Sequence, residues 1–347
     1  MSISAVVLAV TGLLAGSTTS ASADVFNMPG SQKSLEFVTV GDPGNTADRF
    51  GYGQVDYTYQ MGRYDVTAAQ YTQFLNAVAA TDTYYLYHIH MPSTGSLHKG
   101  CGIIQSGDPG SYTYSVVAGR ENFPVNFVSW GDAARFANWL SNGQPTGPQG
   151  PGTTETGSYT LKGAMSSTDL LAVTRNLGAR YVIPSEDEWY KAAYYKGGSI
   201  DAGYWFYPTR SNTTPSNALS PAGTNNANFM LADREYADPT NFLTPVGFFA
   251  GSPGPYGTFD MGGNVNQWNE GIVDSFYRCY RGGSFNDYNG PLEAWYRGSD
   301  VPEAGNNFCG FRIALVPEPA TLCLLAFGGL LLARQRRIRS PCSSTYE

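Results

Sequence analysis

Between Tyr256 and Gly271 the chain reads YGTFDMGGNVNQWNEG, a run that sets hard oxygen donors among glycines. Asp260, Asn264 and Gln267 supply side-chain oxygens, and Gly257, Gly262 and Gly263 permit turns that aim backbone carbonyls inward. Mixed side-chain and carbonyl oxygens are what a calcium ion accepts. The same composition also describes a polar turn that holds no ligand, and local sequence leaves both readings open. A second cluster gathers all three histidines, His88, His90 and His98, with Cys101 inside 14 residues. Imidazole and thiolate at that spacing suit zinc or copper. A Gly/Ser-rich loop with no acid nearby in sequence describes an exposed loop equally well.

Other chemistries leave no trace: there is no Gly-x-Ser-x-Gly elbow, no phosphate loop and no pair of catalytic carboxylates. Aromatic residues are dense around the glycine-rich run, with Trp268, Tyr277, Tyr288, Trp295 and Tyr296. Aromatic faces beside amide side chains suit a groove for a sugar or an exposed peptide, and they suit a core as well.

These residues must be positioned by few regular elements. Thr67-Ala-Ala-Gln70 has the spacing of a capping box, and Tyr71, Phe74, Leu75 and Val78 follow at helical intervals. Ala133, Phe136, Ala137 and Leu140 repeat the pattern behind Ser129. Ser185-Glu-Asp-Glu188 predicts a third helix, through Tyr194, whose three acids complement a helix amino end rather than form an acid/base pair. Long Gly/Pro/Ser/Asn stretches separate the helices, at 142–156, 196–226 and 248–257.

The ends read as an export itinerary. Residues 1–23 carry an apolar segment and an Ala21-Ser-Ala23 site, as in a secretory signal peptide. Residues 316–347 start with Val316-Pro-Glu-Pro319, continue as the apolar run Ala320–Ala333 and end in Arg334, Arg336, Arg337 and Arg339. Fourteen helical residues span about 21 Å, short of a ~30 Å hydrocarbon core. The tail resembles a PEP-CTERM sorting segment: a transient membrane anchor handled by the sorting machinery of the cell envelope, with a permanent anchor as the alternative. The expected destination is the cell surface or extracellular matrix. Only 14% of the 347 residues are charged and the formal charge is −7, so nothing here attracts nucleic acid. Of five cysteines, Cys101, Cys279 and Cys309 lie outside the tail, which in an oxidising compartment predicts one disulfide and one remaining thiol.

Ten residues beyond Gly271 comes Arg281-Gly-Gly-Ser-Phe285, and later Gly310-Phe-Arg312. Earlier lie Tyr64-Asp-Val-Thr-Ala-Ala-Gln-Tyr71, Pro124-Val-Asn-Phe-Val-Ser-Trp130 and Ile183-Pro-Ser-Glu-Asp-Glu-Trp189. In this order, across residues 37–315, the segments resemble the formylglycine-generating enzyme family, also called sulfatase-modifying factors. The resemblance implies a domain over residues 24–315 with an α+β fold, an elaborated C-type-lectin-like architecture poor in regular structure.

Family members that make formylglycine oxidise a client cysteine with copper held by two cysteines, three and eight residues beyond the serine of the Arg-Gly-Gly-Ser motif. Counting from Ser284 reaches Asp287 and Leu292, neither a soft ligand, so no copper site is expected. Two calcium sites carry over by position. The first is Asn228, the Phe229 carbonyl, Asp238 and the Thr240 carbonyl; the second is Asp260, the Gly263 and Val265 carbonyls, and Gln267 where the family has glutamate. Cys279 and Cys309 fall in segments the family fold brings near each other, giving a disulfide or two buried thiols. The expectation is an exported, non-oxidase, calcium-stabilised binding protein for a carbohydrate or peptide, with Trp268, Tyr288, Trp295 and Tyr296 as its groove. The alternative is an oxidase or other metal-dependent enzyme whose metal site has moved.

Overall fold

The computed structural model describes residues 28–317, so the expectations for the leader at 1–23 and for the tail beyond Pro317 lie outside the described residues. The three predicted helices form where their caps place them. Helix α1 (Ala68–Val78) starts from Thr67, α2 (Trp130–Ser141) from Ser129 and α4 (Glu186–Tyr194) from Ser185, each with a reciprocal capping box. A shorter α3 (Ser167–Ala172) lies between the last two. Helices α1 and α2 meet through aromatic faces: Phe74 contacts Phe136 and Trp139 at 5.3 Å between ring centroids, and Phe136 contacts Phe311 at the same distance. Those rings anchor a continuous apolar core.

Strands are short. One sheet has the order β1 (Phe37–Val40), β2 (Tyr59–Gly62), β10 (Ala314–Leu315), β5 (Tyr181–Val182), all antiparallel. Pairing Met61 with Ala314 brings the end of the described chain back to its beginning. A hairpin joins β3 (Ile103–Ser106) to β4 (Thr113–Val116). The third sheet has the order β8 (Gly298–Asp300), β7 (Tyr277–Arg281), β6 (Asn266–Val273), β9 (Cys309–Gly310), with β6 and β9 parallel. The α+β expectation holds.

The glycine-rich run is only half irregular. Asp260 and Asn264 adopt left-handed backbone, and Gly263 (φ 80°) leaves no room for a β-carbon against the Asn228 carbonyl. From Asn266 onward the chain becomes β6, the longest strand described, because β7 and β9 flank it.

With so few ladders, buried and half-buried ion pairs tie the loops together. Arg135 reaches Glu155 at 2.7 Å, Arg175 bridges Glu188 at 2.8 Å and Glu270 at 2.9 Å, and Arg281 and Arg297 converge on Glu186. The acids of α4 thus complement its amino end, as expected, and two of them also clamp distant arginines.

Helix α2 carries a pH-sensitive cap. Burial pushes the Asp132 carboxyl up to about 7, against hydrogen bonds from Ser129 and the charge of Arg135 that pull it down. A carboxyl whose folded pKa is raised holds its proton longer in the native state, so its contribution declines as pH rises from about 4 to about 7. We expect the stability difference between the wild type and Asp132→Asn to shift by about 4 kcal/mol over that window, wild type losing ground as pH rises. Urea titrations at pH 4 and pH 7 measure it, and a pH-independent difference would reject the raised pKa.

Candidate functional site

Gly310-Phe311-Arg312 and the glycine-rich run converge on one guanidinium. Arg312, fully buried, donates from Nε to Gln267 Oε1 (2.6 Å) and from Nη1 to the Gly62 carbonyl (2.8 Å). Its Nη2 donates to Asp65 Oδ1 and to the Phe259 carbonyl, both at 2.9 Å. Gln267 Oε1 also accepts from Trp189 Nε1 at 2.7 Å, while its Nε2 donates to the Asp260 carbonyl at 2.6 Å. Burial pushes the Asp260 carboxyl up to about 6, against the Gly247 N–H and the charge of Arg312. Asp65 is likewise driven well above the carboxylate range by burial, with Arg312 pulling it down.

This geometry corrects the second calcium site. The Gln267 oxygen already accepts two N–H donors, and the positive charge among Asp65, Asp260 and Gln267 is the arginine. A divalent cation does not fit there without displacing a buried ion pair.

The first set fits better. Asn228 is buried, with Nδ2 donating to the Phe242 carbonyl (2.9 Å), and its Oδ1 has no hydrogen-bond partner among the described residues. Phe242 N–H donates to the Asp238 carbonyl at 2.8 Å, so Asn228 and Asp238 bracket the same residue of one loop. An orphaned buried amide oxygen is one donor a hard cation satisfies, and Asp238, on the same loop, is the nearby acid in sequence that the carried-over site names. Asp238 Oδ1 meanwhile accepts the Thr240 and Asn241 N–H groups at 3.0 and 2.9 Å.

Where the family's copper thiolates would stand, the structure holds a polar clasp and an apolar plug. Asp287 Oδ2 accepts from Ser284 N–H (2.9 Å), Ser284 Oγ (2.7 Å) and Asn266 Nδ2 (2.9 Å). Leu292 is fully buried with Tyr207, Ala227 and Phe229. Its Cδ1 stands 2.7 Å from where a β-carbon on Gly283 would be, so the leucine fills the space under the Arg-Gly-Gly-Ser turn. Copper does not fit these residues.

Of the two outcomes open to Cys279 and Cys309, the structure has the buried thiols and not the disulfide: both are free and buried, as is Cys101. Cys279 lies on β7 and Cys309 on β9, with β6 between them. Two strand spacings separate α-carbons by about 9–10 Å, beyond the ~7 Å that a disulfide spans. Closeness to the motifs in sequence did not reveal the strand order.

The histidines do come together, although not as a metal set. His90 and His98 stack with centroids 3.7 Å apart, and His88 lies on Phe127 at 4.8 Å. His88 Nδ1 accepts the His90 backbone N–H at 3.2 Å. Ring faces, rather than nitrogen lone pairs, are turned toward each other. Cys101 is fully buried, and among the described residues no group of three or more His, Cys, Asp or Glu side chains is arranged to hold a metal. The open-loop alternative also needs amending, since the rings are partly buried.

Of the expected groove, Trp268 belongs to the core: it is fully buried and donates from Nε1 to the Val128 carbonyl at 3.0 Å. Tyr288 and Trp295 are exposed, and Tyr296 packs edge-on against Trp295 at 5.8 Å. A cleft of about 610 Å³ opens instead among residues 46–50, 203–206, Asp201, Asn212 and Ala294. None of these was singled out from the sequence. The only local signal was the Tyr204-Trp-Phe-Tyr207 run inside a Gly/Ser/Asn-rich stretch.

Comparison with known proteins follows the same lines. The sulfatase-modifying factor enzyme 1-like domain matches residues 50–316, and the PEP-CTERM protein-sorting motif matches residues 315–337. The sorting motif indicates export, an association with the cell envelope and an encounter with its sorting machinery. No curated protein matches. Among solved structures, CarF is 19% identical over 82% of this chain and 98% of its own, with a TM-score of 0.46. Treponema denticola variable protein 1 is 16% identical over 82% and 96%, also at 0.46. PvdO from Pseudomonas aeruginosa is 18% identical over 81% and 91%, at 0.44. The segments that converge on Arg312 all lie inside the region matched, and the chain belongs to the sulfatase-modifying factor enzyme 1-like domain family.

Proposed function

We propose that the protein is an exported member of this family that binds rather than oxidises, on a scaffold stiffened by one calcium ion, at the cell surface or in the matrix. The observation that carries the reading is the pair Asp287 and Leu292: one side chain is held by Ser284 and Asn266, and the other is packed where a metal would sit. Copper(I) takes soft thiolates, and neither residue supplies one. The calcium ion would be held by Asn228 and Asp238 with the Phe229 and Thr240 carbonyls, where it would satisfy the orphaned Asn228 oxygen and fix the 228–242 loop. The PEP-CTERM motif supports transient anchoring before release.

Metal analysis of the exported protein tests both halves. We expect about one calcium per chain by the donor count, and no copper after incubation with copper and reductant. Chelation is expected to lower the melting temperature and calcium to restore it, since a ligand at 100-fold its dissociation constant stabilises by about 2.7 kcal/mol. Asp238→Ala should abolish the calcium effect and Gln267→Ala should leave it. Identical melts with and without chelator would reject the calcium site, and stoichiometric copper would reject the non-oxidase reading.

A further inference from the structure

We propose that the cleft walled by residues 46–50 and 203–206 is a saccharide-binding site. The assignment rests on the binding role above and gives that role its place and its ligand class. The cleft, about 610 Å³, falls within the range of small-molecule sites. Its walls are held in place before any ligand arrives. Tyr204 Oη donates to the Thr46 carbonyl and accepts from Asn45 Nδ2, both at 2.8 Å, which ties the two sides together. Asp48 accepts from the Phe50 N–H at 2.7 Å and from Tyr190 Oη. The Phe206 N–H donates to Asn212 Oδ1 at 3.1 Å, its carbonyl accepts from Ala294 N–H at 3.0 Å, and Trp205 N–H donates to the Tyr194 carbonyl at 2.8 Å.

What these bonds leave over is a mixed set of unengaged polar groups beside aromatic rings. The Arg49 guanidinium lies over the exposed Phe50 ring, 4.7 Å from its centroid, and makes no hydrogen bond among the described residues. The exposed Asp201 carboxylate and Asn212 Nδ2 likewise have no side-chain partner there. One guanidinium, one carboxylate and one amide can meet hydroxyls that both donate and accept. Phe50, Trp205 and Phe206 line the cleft, and although Arg49 covers one face of Phe50 and Lys196 stands 4.9 Å from the Trp205 centroid, each ring has a second face that suits the C–H side of a pyranose ring.

The composition argues against other classes. Asp48 and Asp201 against a single arginine disfavour a polyanion, and the charged rim disfavours a lipid tail. Among the described residues no named strand borders the cleft to pair with a peptide backbone, and the Asp48 and Trp205 N–H groups and the Thr46 and Phe206 carbonyls are already bonded within the fold. Nor is it a hydrolase site, because Asp48 is fully engaged by Phe50, Tyr52 and Tyr190 and no second free carboxylate joins Asp201 among the lining residues.

The exported protein is applied to an array of neutral, N-acetylated and uronic-acid di- to tetrasaccharides, and the best retained glycan is then titrated against variants. We expect Arg49→Ala, Asn212→Ala and Trp205→Ala each to weaken that glycan at least tenfold, with Trp295→Ala unchanged. Arg49 is exposed and its guanidinium makes no hydrogen bond among the described residues, so Arg49→Ala keeps the wild-type melting temperature and remains informative if Trp205→Ala misfolds or Asn212→Ala, which removes the bond to the Phe206 N–H, loosens the wall. Retention of no glycan would overturn the assignment. So would loss on Trp295→Ala with Arg49→Ala and Asn212→Ala intact, which would move the ligand to the other exposed aromatic patch. Peptide oxidation, assayed separately, judges the non-oxidase reading whichever way the array falls.

Discussion

Arg312→Ala is expected to destabilise the protein by about 3–5 kcal/mol, the range for removing one partner of a buried ion pair. The guanidinium satisfies Asp65, Gln267 and the carbonyls of Gly62 and Phe259, from chain segments as far as 250 positions apart. Alanine leaves Asp65 with no cation in a site where burial already drives its carboxyl up. At roughly 2–4 °C per kcal/mol for a domain of a few hundred residues, the melting temperature should fall by about 6–20 °C. The figure measures the penalty of stranding those partners, rather than the net worth of the pair. Two companions separate the causes. Arg312→Lys keeps the charge but cannot present a planar fork to Gln267 and Asp65 together, so an intermediate loss is expected. Adding Asp65→Asn to Arg312→Ala should recover part of the loss, because it removes the stranded carboxylate. A melt of Arg312→Ala within 2 °C of wild type would show that the hub does not hold the fold.

Local signals were legible and long-range pairings were not. Thr67, Ser129 and Ser185 announced their helices because a capping box is complete within four residues. The motif order announced the α+β family fold. Gln267 was read as a calcium ligand in place of the family's glutamate because nothing in its own segment shows that Arg312, 45 positions later, takes its oxygen. The choice between a Cys279–Cys309 bridge and two thiols stayed open for the same reason: their segments were expected near each other, and only the sheet order shows that β6 lies between them. Trp268 looked like a groove residue beside polar neighbours. The first half of β6 is buried on both faces, so Trp268 packs into the core instead, against Tyr280 at 5.6 Å. The cleft had no motif spanning it, since Tyr204 joins its two walls across 158 positions of the chain. Asp287 and Leu292 were identified by counting from Ser284, yet the clasp of the first and the packing of the second needed Asn266, Tyr207 and Phe229.

The exported protein is expected to leave a Cys-x-Pro-x-Arg peptide unchanged in the presence of copper, reductant and oxygen, with no aldehyde above a metal-only blank. Two thiolates are what the family's oxidation implies, and three cysteines remain in the described chain to supply them elsewhere. None is poised to do so. Burial and the nearby Glu186 charge push the Cys279 thiol up to about 12, with Arg281 and Arg297 pulling it down. Burial, with Asp300 and Asp287 adding to it, raises Cys309 well above the ordinary thiol range, and burial raises Cys101. Thiols held protonated at neutral pH are poor ligands and poor nucleophiles. Cys279 and Cys309 also stand on opposite sides of β6. Turnover above the blank that disappears in Cys279→Ala or Cys309→Ala would establish a relocated site and overturn the reading. A sharper test installs what is missing. Asp287→Cys alone should stay inactive and lose some stability, because it breaks the hydrogen bonds to Ser284 and Asn266. Asp287→Cys with Leu292→Cys empties the packed space and supplies both soft ligands, so that variant should take up copper(I) where the wild type takes none. Copper uptake by the wild type equal to that of the double variant would mean that the metal was never lost, only held by residues other than these two.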